Sequence, residues 1–194
     1  MCIRDRLCVY CGGSSGANEA YATAAAELAT LMVAAQIGLV YGGSSRGLMG
    51  VVADTMLAAG GEVRGVIPAS LRDREVAHDG LSELHVVDSM HDRKSLMAVL
   101  SDGFVALPGG YGTLEEIVEV LTWGQLQFHE KPCGLLNVDG YFDHLLAFLD
   151  HAQKQGFLRA QHREMLVVAS TPAELLDRFE HYAPPTIDKL GNDL

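Results

Sequence analysis

Phe104-Val105-Ala106-Leu107-Pro108-Gly109-Gly110-Tyr111-Gly112-Thr113-Leu114-Glu115-Glu116 joins three kinds of chain in thirteen residues. The apolar run at 104–107 has the length and composition of a buried strand. Pro-Gly-Gly-x-Gly cannot continue a strand, and it ends at Thr113, where apolar residues begin to recur at helical spacing through 128. The passage is therefore strand, glycine loop, helix. It has two earlier counterparts. A strand at 6–10 leads through Gly12-Gly13-Ser14-Ser15-Gly16 into a helix over 18–35, and a strand at 37–41 leads through Gly42-Gly43-Ser44-Ser45-Arg46-Gly47 into a helix over 47–59.

The remainder of the chain repeats the alternation. Further strands are expected at 62–67, 84–87, 134–138 and 165–169, with helices over 92–100, 141–155 and 172–182. Near-continuous apolar strands separated by helices imply a parallel sheet covered on both faces. Right-handed crossovers then give a three-layer, doubly wound α/β sandwich of Rossmann-like type. No internal repeat or Pro/Ser-rich linker divides the chain, so residues 1–194 are expected to form one nucleotide-binding domain. Its core spans about 6–182, and the ends are loose.

Composition limits the partners. The 194 residues carry 14 Lys plus Arg against 25 Asp plus Glu, a formal charge of −11. Bulk charge of that sign opposes nucleic-acid binding, which depends on cations at phosphates. A small anion held by a few local groups remains compatible with it. The 48% hydrophobic share excludes a disordered chain. No apolar run reaches the ~20 residues of a membrane-spanning helix. The run at 7–11 after Arg4 and Arg6 is too short for a secretory core. A soluble cytoplasmic protein is expected. The cysteines, Cys2, Cys8, Cys11 and Cys133, do not form a disulfide framework. Cys8 and Cys11 spell C-x-x-C on a strand, where residues three apart face opposite ways, so no metal site is expected. The eight histidines show no metal spacing either, and His144 and His151 read as one exposed helix face.

All three glycine loops should meet at the carboxyl edge of the sheet, where open α/β sheets bind ligands. Gly12, Ser14, Gly42, Gly43, Ser44, Arg46 and Gly109 are the candidates for holding a phosphate, through backbone N–H groups, hydroxyls and one cation. No loop spells G-x-G-x-x-G with an acid about 20 residues on, and none spells the nucleotide-triphosphatase loop. A compact phosphate ester is the expected ligand.

Charged residues flank these loops. Glu115 and Glu116, expected in the first turn of their helix, point about 100° apart and should serve different ends. One suits ribose hydroxyls and the other the reacting carbon. The helix dipole would keep them ionised, which favours stabilising a cationic transition state or orienting water, as in glycosyl transfer. Arg93 and Lys94 open another helix, where cations gain nothing from the dipole, so a ligand is one explanation and a solvated surface pair the other.

Pro108-Gly109-Gly110-Tyr111-Gly112-Thr113-Leu114-Glu115-Glu116 resembles the P-G-G-x-G-T-x-x-E hallmark of the Lonely Guy (LOG) phosphoribohydrolases. Val9–Ser15 (VYCGGSS), Gly42–Gly50 (GGSSRGLMG), Met90–Lys94 (MHDRK) and Leu121-Thr122-Trp123 extend the likeness in order. The first of these has one glycine more than the usual Cys-Gly-Ser-Ser. The resemblance implies a hydrolase without a cofactor. It would cleave the N-glycosidic bond of N6-modified adenosine 5′-monophosphates, and of AMP, to free base and ribose 5-phosphate. It implies catalytic Arg93 and Glu116. It also implies substrate contacts at Glu75, Lys94, Gly110, Tyr111, Gly112, Thr113, Leu114, Glu115 and Thr122, in a homodimer with the site near the subunit boundary. Met90, Met97 or Leu114 could receive a prenyl tail. The alternatives are a non-catalytic carrier of a phosphate-bearing cofactor, as in molybdenum-cofactor carriers, and a lysine decarboxylase, which would need a Schiff-base lysine.

Overall fold

The computed structural model describes residues 5–72 and 77–185. Seven parallel strands form one sheet in the order β4-β3-β2-β1-β5-β6-β7. They are β1 (Arg6–Tyr10), β2 (Gly38–Tyr41), β3 (Val63–Pro68), β4 (Glu83–Val87), β5 (Gly103–Ala106), β6 (Cys133–Leu136) and β7 (Leu166–Ala169). The helices are α1 (Glu19–Ala34), α2 (Gly47–Ala58), α3 (Met90–Val99), α4 (Tyr111–Gln125), α5 (Asp143–Lys154), α6 (Ala160–Arg163) and α7 (Pro172–Glu180).

Side-chain alternation on the strands builds two cores. Leu7, Val9 and Cys11 pack under α1, α2 and α7 with Leu28, Met56 and Phe179. Cys8 and Tyr10 pack on the other face with Met97, Ile117 and Phe142, under α3, α4 and α5. Cys8 and Cys11 thus lie in different cores, as the strand period requires. Burial pushes both thiols well above the ordinary cysteine range.

The chain runs outward from β1 to β4, then returns to place β5 on the other side of β1. Tyr10 pairs with Ala106 in that central register, so the loops leaving β1 and β5 flank the switch point, where a crevice opens beyond the strand ends.

Several elements differ locally from the sequence expectation. Helix α4 begins at Tyr111 rather than 113, because Gly110 is extended and its carbonyl accepts the Leu114 N–H, closing the first turn. Glu115 and Glu116 consequently sit in the second turn, where the dipole acts less strongly on them. The expected helix over 141–155 starts only at Asp143: a 3-10 turn at Val138–Gly140 precedes α5, and Asp139 there takes φ +52°. The short α6 has no counterpart in the sequence expectation, and α3 starts at Met90, two residues before 92. The latter follows from Ser89, whose hydroxyl accepts the Asp92 N–H as an N-cap.

Candidate functional site

The three glycine loops meet backbone to backbone. Gly12 N–H donates to the Pro108 carbonyl at 3.1 Å, and Leu48 N–H donates to the Gly12 carbonyl at 3.0 Å. Gly47, with φ +56°, lies directly on the peptide joining Gly13 and Ser14, where any side chain would collide. A Cβ on Gly109 would come within 2.9 Å of the Gly12 nitrogen. Several of these glycines therefore serve the packing of loop on loop. Gly110 and Gly112 differ, since a Cβ on either would meet nothing within 4 Å. They border open space at the start of α4, where Gly110 supplies no capping side chain. The first N–H groups of that helix have no intrahelical acceptor.

Two adjoining cavities occupy this edge. One, of about 400 Å³, is lined by residues 12–16, Tyr21, Leu48, Pro108, Gly109, Gly110 and Tyr141. The other, of about 310 Å³, is lined by Val9, Tyr10, Cys11, Gly42, Met49, Met90, Arg93, Met97, Gly112, Thr113 and Glu116, and it shares Gly12, Gly13 and Gly110 with the first. The first is walled by glycine backbone, Ser14 and Ser15 together with Leu48, Pro108 and two tyrosines, and the second sets one acid and one cation beside three methionines.

Arg93 is 5% exposed and Lys94 7%, which disposes of the solvated surface pair. Arg93 Nη2 donates to the Gly42 carbonyl at 3.3 Å, and its guanidinium lies where a Gly42 side chain would be. Lys94 turns elsewhere: Nζ donates to Glu115 Oε1 and, at 3.0 Å, to Glu119 Oε1. Burial alone would lower the Lys94 pKa, but these two hydrogen bonds outweigh it and hold the value above the ordinary 10.5. Glu115 and Glu116 diverge as helical geometry requires, Glu115 to Lys94 and Glu116 into the cavity.

Of the residues singled out from sequence, Gly12, Gly42, Gly110, Gly112, Thr113, Arg93 and Glu116 line the methionine-walled cavity, and Ser14 and Gly109 line its neighbour. Gly43 packs on Leu84 and Ile67, and Ser44 is buried, its Oγ accepting the Arg46 N–H. Arg46 is exposed at the start of α2. Leu114 packs in the core, and Tyr111 is 93% exposed. Thr122 lies on the far side of α4, in an apolar groove with Val118, Leu121, Leu145, Leu149 and Leu158. Glu75 falls outside the described residues. Sequence reasoning missed Tyr10, Met49, Tyr21 and Tyr141 as lining groups. Met49 and Tyr141 had a readable signal, because each follows a strand ending at the same sheet edge. Among the described residues, no group of three or more His, Cys, Asp or Glu is placed to hold a metal, and no helix is long and apolar enough to cross a membrane.

Comparisons with known proteins identify the family and the fold. The family described as "Possible lysine decarboxylase" matches residues 49–179. A probable cytokinin riboside 5′-monophosphate phosphoribohydrolase, LOGL9 of Oryza sativa subsp. japonica, is 53% identical over 179 residues, covering 92% of this chain and 79% of its own. The Arabidopsis thaliana enzyme of that name, LOG5, is 50% identical over 179 residues, covering 92% of this chain and 78% of its own. Among solved structures, the molybdenum cofactor carrier protein of Chlamydomonas reinhardtii superposes with a TM-score of 0.69 at 22% identity, covering 92% of this chain and 97% of its own; this shows a shared fold. With half of its residues identical over nine-tenths of its length, the chain belongs to the LOG family of cytokinin riboside 5′-monophosphate phosphoribohydrolases.

Proposed function

We propose that the protein hydrolyses the N-glycosidic bond of adenosine 5′-monophosphates, N6-prenylated ones and AMP, releasing the free base and ribose 5-phosphate. The observation that carries this reading is the placing of Arg93 and Glu116 on one cavity that opens, through Gly12, Gly13 and Gly110, onto a glycine-lined neighbour. The 5′-phosphate occupies the glycine cavity, against Ser14, the Gly109–Gly110 backbone and the first turn of α4. Ribose lies at the junction. The purine extends into the second cavity, where Met49, Met90 and Met97 give an adaptable apolar wall for an N6 alkyl group.

In the reaction, the C1′–N bond breaks with its electron pair passing to the purine, and water adds to C1′. Glu116 offsets the positive charge developing at C1′ and accepts a proton from the attacking water, later releasing it to solvent, while the purine takes up one proton from solvent. Arg93, held by the Gly42 carbonyl and lining the same cavity, orients the substrate. The decarboxylase description fits less well. Lys94 is committed to two glutamates and Lys131 Nζ donates to the Ala98 carbonyl, so neither lines a cavity where a Schiff base could form.

The same reading includes a homodimer in the cytoplasm. Helix α5 buries no residue fully, Phe148 and Phe157 are largely exposed, and the groove beside Thr122 offers an apolar face to a second copy. Thr122 would then act, if at the substrate, from across the subunit boundary. The test is chromatographic detection of base after incubation with AMP and with isopentenyl-AMP, beside a Glu116→Ala control. Base released by the native protein alone is expected. A folded protein that releases none from either, yet retains a phosphate-bearing cofactor, would be a carrier instead.

A further inference from the structure

The Gly109–Gly110 peptide lies on the wall of the glycine cavity, and its orientation decides what that wall offers an anion. In one orientation a peptide presents its N–H; flipped, it presents a carbonyl oxygen, which repels phosphate. In a trans peptide the two point opposite ways. Two adjacent glycines make the flip unusually easy, since neither has a Cβ to restrict φ and ψ.

The neighbouring carbonyls are fixed by the fold. That of Pro108 accepts from Gly12 N–H, and that of Gly110 accepts from Leu114 N–H at 3.1 Å. The carbonyl between them, on Gly109, accepts the hydroxyl of Tyr141 at 2.6 Å, a short bond that reaches across 32 residues. Tyr141 is itself well anchored. Its ring meets Tyr21 edge-on at 5.5 Å and Phe142 at 4.9 Å, and the Phe142 N–H donates to Asn137 Oδ1 at 2.7 Å. Tyr21 lines the same cavity.

We propose that Tyr141 is a positioning residue for phosphate: its hydroxyl holds the Gly109 carbonyl out of the anion's path and so keeps the Gly110 N–H available to the 5′-phosphate. The proposal rests on the nucleotide reading of the site and names a residue that sets its phosphate affinity. Because the hydroxyl acts through the loop, its loss weakens ligands that carry the phosphate and spares those that do not. One hydrogen bond of this kind corresponds to roughly threefold to tenfold in affinity.

The experiment compares the native protein with Tyr141→Phe, which removes one oxygen from a ring that is 41% exposed and leaves its packing intact. Ribose 5-phosphate and adenine are titrated separately by calorimetry, and AMP turnover is followed by adenine release. The expected result is a threefold to tenfold loss of affinity for ribose 5-phosphate, unchanged affinity for adenine, and a KM for AMP raised by the same factor with kcat within about twofold. Unchanged ribose 5-phosphate affinity overturns the proposal. So does a proportional loss for both ligands, or a fall in kcat at constant KM. If the native protein binds ribose 5-phosphate but turns over no nucleotide, the enzymatic reading fails while the binding comparison still decides the role of Tyr141.

Discussion

Arg93 Nη2 lies 3.3 Å from the carbonyl oxygen of Gly42, a hydrogen bond between residues 51 apart that sets a buried cation directly against a glycine with no side chain to keep it away. The arrangement explains why the second glycine loop begins as it does. A methyl group on Gly42 would fall inside van der Waals contact of the guanidinium and 3.2 Å from Met49 Sδ. Gly42→Ala is expected to displace Arg93 and lower kcat/KM by about 10²-fold, as misplacement of a reacting group by an ångström can. Local overpacking should cost about 1–3 kcal/mol, a fall in melting temperature of several degrees. Activity and thermal unfolding of the purified variant check this, and native-like turnover would mean the position of Arg93 is immaterial.

The methionine wall gives a second expectation. Met49, Met90 and Met97 border the cavity that holds Arg93 and Glu116. Replacing Met49 by Gln puts a polar group where an N6 alkyl chain would lie. Efficiency on isopentenyl-AMP should fall more than on AMP, by about 10-fold in the ratio, the scale of a lost apolar contact of one or two methylenes. Competition between the two substrates in one reaction measures that ratio directly.

How far the sequence could be read is clear from particular residues. The apolar runs and three glycine loops are enough to place every strand within two residues and the loops at one sheet edge, because strand burial and loop chemistry leave local signals; the strand order and switch point are not among them. Gly110, Gly112 and Glu116 come from the resemblance of 108–116 to a family hallmark, and all three line one cavity. What escaped was tertiary. Nothing local distinguishes Arg93, which turns to the cavity, from Lys94, which turns to α4 and is neutralised there by Glu115 and Glu119. Nor does spacing show that Tyr141 reaches back to Gly109, although six residues at 100° each already turn Thr122 about 120° from Glu116 on the same helix. Such facts depend on which helix faces which loop.

Lys94 yields a prediction that separates structure from catalysis. It is almost fully buried, while Glu115 is 54% and Glu119 26% exposed in their side chains. Lys94→Met should destabilise the fold by about 1–3 kcal/mol, since the carboxylates lose their partner but keep some access to water. Adding Glu119→Gln should recover part of that loss, as expected of coupled neighbours. The raised pKa of Lys94 sets the sign with pH: its contribution is present in full below 10.5 and is lost as pH rises through the higher folded value. Urea unfolding of the single and double variants tests the coupling. A raised KM with native stability would instead assign Lys94 to the substrate.

His129 should make the fold sensitive to mild acid. Its Nε2 lies 2.8 Å from the Val120 carbonyl, which has only lone pairs, so Nε2 carries the proton. Its Nδ1 accepts the Lys131 N–H at 3.1 Å and must stay unprotonated to do so. The neutral ring satisfies both partners, whereas protonation at Nδ1 would break the second bond and bury a charge near Phe104 and the Lys131 ammonium. Burial accordingly lowers the His129 pKa below the ordinary 6.5, opposed by the Val120 carbonyl and reinforced by Lys131. The unfolded state then binds a proton at higher pH than the folded state does. Stability from this group is complete above 6.5 and declines as pH falls from there toward the lower folded value. His162, also lowered by burial, acts in the same direction. Melting temperature should therefore drop between pH 7.5 and 5.5. His129→Gln, which keeps an amide donor for Val120 and does not titrate, should flatten that drop while lowering stability at pH 7.5. A variant whose melting curve falls with pH as steeply as the native one would show that His129 does not govern the acid limb.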